Sequence, residues 1–409
     1  MITAPGQAHF PALFAKEFVR SEPAPQGDHT PSPEVPSAPM DKADADTYKQ
    51  KLEEQELIGG PYAQGLIEPL SSLGHYQMDR GYYLEAEDLY KRALHILRVN
   101  DGLNSEHQIP AVNDLLNLYR TAGDLASLDD RYDYLFRLYG NGWPPYTPER
   151  RKGVLEYLRW QRAAHCSGID RGNIKRLVDL FQLNKRILEL VAQTPNEDPA
   201  WKHELVLSQI RNLYLLLGSH DSPSSGFSVR SASQIEQPSL VQQKWSYLLS
   251  TGFNNGRDLL QSLIAVSAQL EPTQRAALHL ELGDWYQWNE RGVKADEEYV
   301  IVEEILLEAV ETDLLDQWLG EPVELPDNDA FRQPDLPSSD KNPVIVTVNY
   351  DISVKGHLSN IEVTTEKPED SSVGQRIRRM LMNTHFRPRF VSGHAEPMEN
   401  LTRQYQLAQ

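Results

Sequence analysis

One pattern of small residues recurs along this chain and limits its fold more than any other feature. Leu70, Leu73 and Gly74 lead into Gly81, and Tyr83, Ala86, Tyr90, Ala93 and Leu94 follow. The spacing predicts two antiparallel helices joined at Gly81. Gly74, Ala86 and Ala93 let their backbones approach, while Leu70, Leu73, Tyr90 and Leu94 fill the space around the crossing. The same order returns in Val112, Leu115, Leu116, Tyr119, Gly123, Leu125, Leu128, Tyr132 and Leu135, with Gly123 placed 42 residues after Gly81. A third copy comes late, in Leu282, Gly283, Tyr286, Gly292, Ala295 and Tyr299. Gly283 and Ala295 are spaced like Gly74 and Ala86, although the turn glycine falls two positions later. A hairpin of this kind cannot bury its apolar face alone, so a repeated one stacks on its neighbours into a solenoid.

This grammar resembles the tetratricopeptide repeat. It departs at Gln77, where the consensus has an aromatic, and its first two copies are further apart than the usual period of about 34 residues. The extra length is assigned to a connection at Val99 to His107, which contains Asn100-Asp101-Gly102. Other amphipathic stretches, Ile174 to Val191 and Leu259 to Leu270, extend the helical reading over residues 56–320. Ser222-Pro223-Ser224-Ser225-Gly226 places a flexible loop at about 218–239. The resemblance implies a non-enzymatic scaffold that binds a protein or peptide in a groove lined by the first helix of each hairpin. Mapped through Gly74 and Gly123, the inward positions are His75, Met78 and Asp79, then Asn113, Asn117 and Arg120. Asparagine and arginine there suit a peptide backbone or a terminal carboxylate.

The segments around the solenoid differ in composition. Residues 1–55, with Pro23-Ala24-Pro25 and Pro31-Ser32-Pro33, are read as a disordered segment rich in proline, alanine and serine. Residues 321–341, carrying Pro322, Pro326, Pro334 and Pro337, have no sustained period and are read as a linker. From 342 to 409 the period drops to two. Val344, Val346, Val348, Tyr350 and Ile352 mark a first strand, and Ile361, Val363 and Thr365 mark a second. Val373, Ile377, Met380 and Leu381 form one face of a helix. Strands near Phe386 to Val391 and Leu401 to Leu407 complete a ββαββ order. The predicted fold is therefore multi-domain: an all-α solenoid followed by a small α+β module.

That module resembles the C-terminal domain of the TonB energy transducers through Tyr350-Asp351-Ile352, Gly356, Asn360-Ile361, Lys367-Pro368 and, above all, Phe386-Arg387-Pro388. It lacks the Tyr-Pro lead-in usual before the first strand. The resemblance implies protein contact in a bacterial cell envelope, through strand addition at an open sheet edge. The last strand is the expected edge, because its outward side chains Thr402, Gln404 and Gln406 are polar and uncharged.

Charge and motif content narrow the function further. The net charge is −19, and from Asp340 onward nine Lys/Arg face eight Asp/Glu, so the acidity lies upstream. Such a body repels phosphate backbones and argues against nucleic acid as a partner. No run approaches the roughly 18 apolar residues of a membrane span. Residues 1–20 lack the basic and apolar regions of a secretory signal, so a cytoplasmic setting stands beside the envelope one. Phosphate-loop, dinucleotide, nucleophile-elbow and zinc-protease motifs are absent, and no cofactor or metal is expected. Cys166 allows no intrachain disulfide. The alternatives to an envelope scaffold are a cytoplasmic adaptor whose terminal module is only a cap, and an enzyme with an unrecognised site.

Overall fold

Helices make up most of the computed structural model, and two of its hairpins are built on a buried glycine–tyrosine contact. It describes residues 18–20, 42–170, 173–195, 197–219, 239–334, 336, 344–365, 367 and 371–407. By internal contact the chain divides into two compact units at Trp160/Gln161. The second unit includes the terminal module and residues 18–20.

The first unit contains α1 (Lys42–Gly59), α2 (Ile67–Asp79), α3 (Tyr83–Asp101), α4 (Ile109–Ala122), α5 (Leu125–Leu138) and most of α6 (Pro148–Ser167). Helices α2 and α3 pair as expected. Ala86, Tyr90 and Ala93 are fully buried, and a Cβ added at Gly74 would overlap the Tyr90 ring. Glycine is therefore dictated by the approach of that ring. Gly123 ends α4 in the left-handed conformation with φ 71°, which glycine adopts without a Cβ clash. Asp124 then caps α5 by accepting from the Ser127 N–H at 3.1 Å.

Two expectations for this unit are corrected. The extra length between the first hairpins is partly helix, because α3 continues to Asp101. The remaining connection is closed by buried Gln108, whose Nε2 donates to the Gly102 carbonyl at 2.8 Å and whose Oε1 accepts from Tyr134. Residues 42–55, expected as disordered, are helical. Ala45 is buried, and Leu52 packs on Leu66, Leu70, Ala93 and Ile96. These few contacts suffice because Lys49 to Glu56 is, apart from Leu52, Lys, Glu and Gln, residues of good helix propensity. The other parts of the 1–55 expectation, residues 1–17 and 21–41, lie outside the described residues.

The second unit continues with α7 (Lys175–Gln193), α8 (Pro199–Gly218), α9 (Leu240–Ile264), α10 (Pro272–Trp288), α11 (Gly292–Glu308) and α12 (Thr312–Leu319). Helix α8 is buried on nearly every side, which explains its apolar sequence without a membrane. No described helix is long and apolar enough to cross one. The α10–α11 pair repeats the α2–α3 crossing: Ala295 and Tyr299 are fully buried, and a Cβ on Gly283 would meet the Tyr299 ring. Most of the expected flexible loop, residues 220–238, lies outside the described residues.

The expected linker is corrected over 321–334. Val323–Leu325 forms β2, and Leu325, Ala330 and Phe331 are buried, Phe331 in the same core as Trp285 and Tyr299. Residues 335 and 337–343 lie outside the description.

The terminal module contains β3 (Val344–Ile352), β4 (Leu358–Thr365), α13 (Ser371–Leu381), β5 (His385–Arg387), β6 (Arg389–Val391), β7 (His394–Glu396) and β8 (Met398–Leu407). Alternate residues of β3 are buried from Val344 to Ile352, and Val373, Ile377, Met380 and Leu381 of α13 pack on the same core. The antiparallel sheet has the order β1-β8-β3-β4, where β1 is Phe18–Arg20. The single strand expected over Phe386 to Val391 is divided at Pro388, which cannot donate to a ladder. Its first half, β5, pairs with β2 instead of joining the main sheet, and β6 pairs with β7.

Among the described residues the last strand is an edge over only part of its length. On one side β8 pairs with β3 along its length, Gln404 opposite Thr347. On the other, Leu407, Gln406 and Tyr405 face Phe18, Val19 and Arg20. Thr402 and Gln404 are exposed, as expected, while Gln406 lies in the segment paired on both sides.

Candidate protein-binding surface

Four of the six residues expected to face inward have hydrogen-bond partners in the first unit, and two of these contacts link α2 with α4. His75 Nε2 of α2 lies 3.1 Å from Asp114 Oδ1 of α4. One turn further, Asn117 Nδ2 of α4 lies 3.9 Å from Met78 Sδ of α2. Two layers of contact between α2 and α4 are thus defined, a carboxylate beside His75 and a carboxamide beside Met78. His75, Asp79, Asn113 and Asn117 are exposed, while Met78, Asp114 and Arg120 are half-buried. Arg120 donates to the Tyr132 hydroxyl at 2.8 Å, so its guanidinium is partly engaged inside the unit. The hydrogen bond to Asp114 holds the His75 imidazole above its ordinary pKa, against the opposing effect of burial. Asp79 adds a further attraction for the protonated ring. Asp114 was missed in the sequence because it adjoins the inward Asn113; its spacing from His75 was the available signal.

The α10–α11 hairpin shows what the equivalent positions do when occupied. Counting from the buried glycine, Asp284 corresponds to His75 and Gln287 to Met78. Both grip the strand β5 within their own unit. Arg387 Nη1 donates to both Asp284 oxygens, at 3.1 and 2.9 Å, and its Nη2 donates to Asp327 at 2.9 Å. Gln287 Nε2 donates to the Phe386 carbonyl at 2.9 Å and to the Lys355 carbonyl at 2.8 Å. From α11, Glu303 accepts the backbone N–H groups of Ser392 at 2.9 Å and Gly393 at 2.7 Å. Tyr299 completes the Asp284 environment with a 2.9 Å bond. Gly356, with φ 71°, lies where a side chain would strike the Phe386 carbonyl and the Gln287 amide.

This grip is electrostatically demanding. Arg387 is almost completely buried. Burial pushes the Asp284 carboxyl up to about 6, with the Arg387 charge working against that rise. Burial also pushes Glu281, which accepts from Asn328 at 2.9 Å, up to about 7, and the nearby Asp284 charge adds to it. A second buried pair ties β2 to the sheet: Arg403 donates to Glu324 at 3.1 Å, and Tyr405 donates to the same oxygen at 2.8 Å. None of these pairs was read from the sequence. Asp284 carried a signal in its place directly after Gly283; Glu324 and Asp327 lay in a stretch without periodicity.

Among the described residues no cluster of His, Cys, Asp or Glu is arranged to hold a metal ion. No family model matches the chain, and no curated protein matches it. Among solved structures it is similar to a Podosopora anserina protein of kinesin light chain type with nearly identical TPR-like repeats. That likeness has 15% identity over 60% of this chain and 96% of the other, at a TM-score of 0.35. It is also similar to BtubC from P. vanneervenii, at 14% identity over 66% of this chain and 91% of the other, with a TM-score of 0.34. Helical hairpins followed by a small strand-rich region towards the C-terminal end make up the described residues.

Proposed function

We propose that the chain is a non-enzymatic scaffold that holds extended segments of partner proteins along the inward row of α2 and α4. The observation carrying this reading is the α10–α11 grip on β5, where the inward positions bind a backbone carbonyl and a side-chain charge of an extended strand. The same positions of α2 and α4 lie exposed or half-buried, with hydrogen-bonding groups at their tips. An envelope setting in a bacterium and the TonB-like character of the terminal module belong to this proposal on the residue resemblance alone. Strand addition is a second binding mode: beyond residues 405–407, the side of β8 away from β3 has no strand among the described residues.

The test is co-purification from a bacterial envelope extract, comparing the wild-type chain with the His75→Ala/Asn117→Ala double variant. Proteins retained by the first and lost by the second support the groove. Identical retention, with circular dichroism showing intact helix, overturns it.

A further inference from the structure

The grip on β5 also indicates which segments the open groove prefers. In α10 a carboxylate follows the buried glycine by one position and a carboxamide follows it by four. The carboxylate takes the Arg387 guanidinium, and the carboxamide takes the carbonyl of Phe386, the residue just before it. Between α2 and α4 the same two groups occur in the same two layers, supplied across the pair of helices. His75, one after Gly74, is bonded to the Asp114 carboxylate, and Met78, four after, touches the Asn117 carboxamide. Asp79, exposed at the end of α2, adds a second negative charge.

We infer that this groove takes an extended segment carrying an arginine or lysine, with the basic group at Asp114 and the preceding carbonyl at Asn117. This rests on the reading of the groove as a polypeptide-binding surface and adds the chemistry of the partner. A guanidinium matches a carboxylate in charge and fork geometry, and it competes with the His75 imidazole for Asp114. The net charge of −19 favours the approach of a basic segment before any contact forms. An acidic segment or a C-terminal carboxylate meets the opposite: Asp79 and Asp114 oppose it, and Arg120 is already bonded to Tyr132.

The chain supplies a natural probe. A fluorescein-labelled peptide with the sequence of residues 383–392 contains Phe-Arg-Pro-Arg-Phe, and its counterpart carries glutamate in place of both arginines. In the full-length protein the α10 site already holds its own β5, so added peptide reports the open groove. Fluorescence anisotropy is expected to show the basic peptide binding at least tenfold more tightly than its acidic counterpart. Asp114→Asn and Asn117→Ala are each expected to weaken it several-fold, with the circular dichroism spectrum unchanged. Equal binding of both peptides overturns the charge preference while the groove reading stands. Binding of neither overturns both. Tight binding of the basic peptide that both variants leave unaltered places it elsewhere and overturns the assignment to α2 and α4.

Discussion

The hairpins α2–α3 and α10–α11 share a crossing and differ in what their inward faces meet. In both, a glycine on the first helix faces the ring of a tyrosine on the second, with a buried alanine before it. The shared part fixes the backbone. The inward side chains are then free to diverge, because the crossing does not use them. In α10 they became Asp284 and Gln287 and closed on β5; in α2 they are His75 and Met78 and stand beside α4. A repeat can therefore serve as an internal joint in one place and an open surface in another without changing its fold.

The sharpest way to break the comparison is to empty the closed hairpin. Arg387→Ala leaves Asp284 and Asp327 buried without their cation, and it should cost about 3–5 kcal/mol in urea unfolding. A loss below about 1 kcal/mol would mean β5 is not held by this charge. The double variant Asp284→Leu/Arg387→Met should lose less than Arg387→Ala alone, since one buried carboxylate, Asp327, is then left without its cation in place of two.

The shared crossing is tested next. Gly74→Ala and Gly283→Ala each push a methyl group into a tyrosine ring, at a cost of about 1–3 kcal/mol, and Ala86→Leu should cost as much. Similar losses of Tm for the two glycine variants would affirm their equivalence. A silent substitution at either site would end it.

A smaller effect separates the hairpins by pH. The Glu281 and Asp284 carboxyls titrate near 7 and 6 in the folded chain and near 4 when unfolded. Between those values the folded state binds more protons. Their contribution to stability is therefore full below about pH 4 and is lost as pH rises through 6 and 7. The second unit should therefore lose stability between pH 5 and 8 through these groups. Glu281→Gln should flatten that dependence, and an unchanged slope would show that Glu281 does not titrate there.

The smallest effect is expected at the open hairpin. His75→Ala or Asn117→Ala should leave stability within about 0.5 kcal/mol, because both side chains are exposed. A large loss in calorimetry would make them structural and remove the contrast.

What the sequence disclosed follows from the kind of contact involved. Gly74, Ala86 and Ala93 were legible because close helix crossings admit few residue types, Gly123 because a left-handed helix end favours glycine, and β3 because one sheet face is buried. Helix α1 was hidden, since it docks through little more than Ala45 and Leu52. The packing of 321–334 was hidden for another reason. It relies on Glu324 and Asp327, whose partners Arg403 and Arg387 are 79 and 60 residues away, and a charge carries no periodicity. Pairing of β8 was likewise beyond local pattern, because its second neighbour comes from Phe18–Arg20.

The pairing of Phe18 with Leu407 also has a mechanical meaning. Two strands far apart in the sequence lie side by side and antiparallel, fastened as a short zipper. Pulling residue 18 and residue 407 apart would load those hydrogen bonds one after another, the weakest way to stress a sheet. Joining residue 407 to residue 18 by a short turn would instead make the pair an ordinary hairpin.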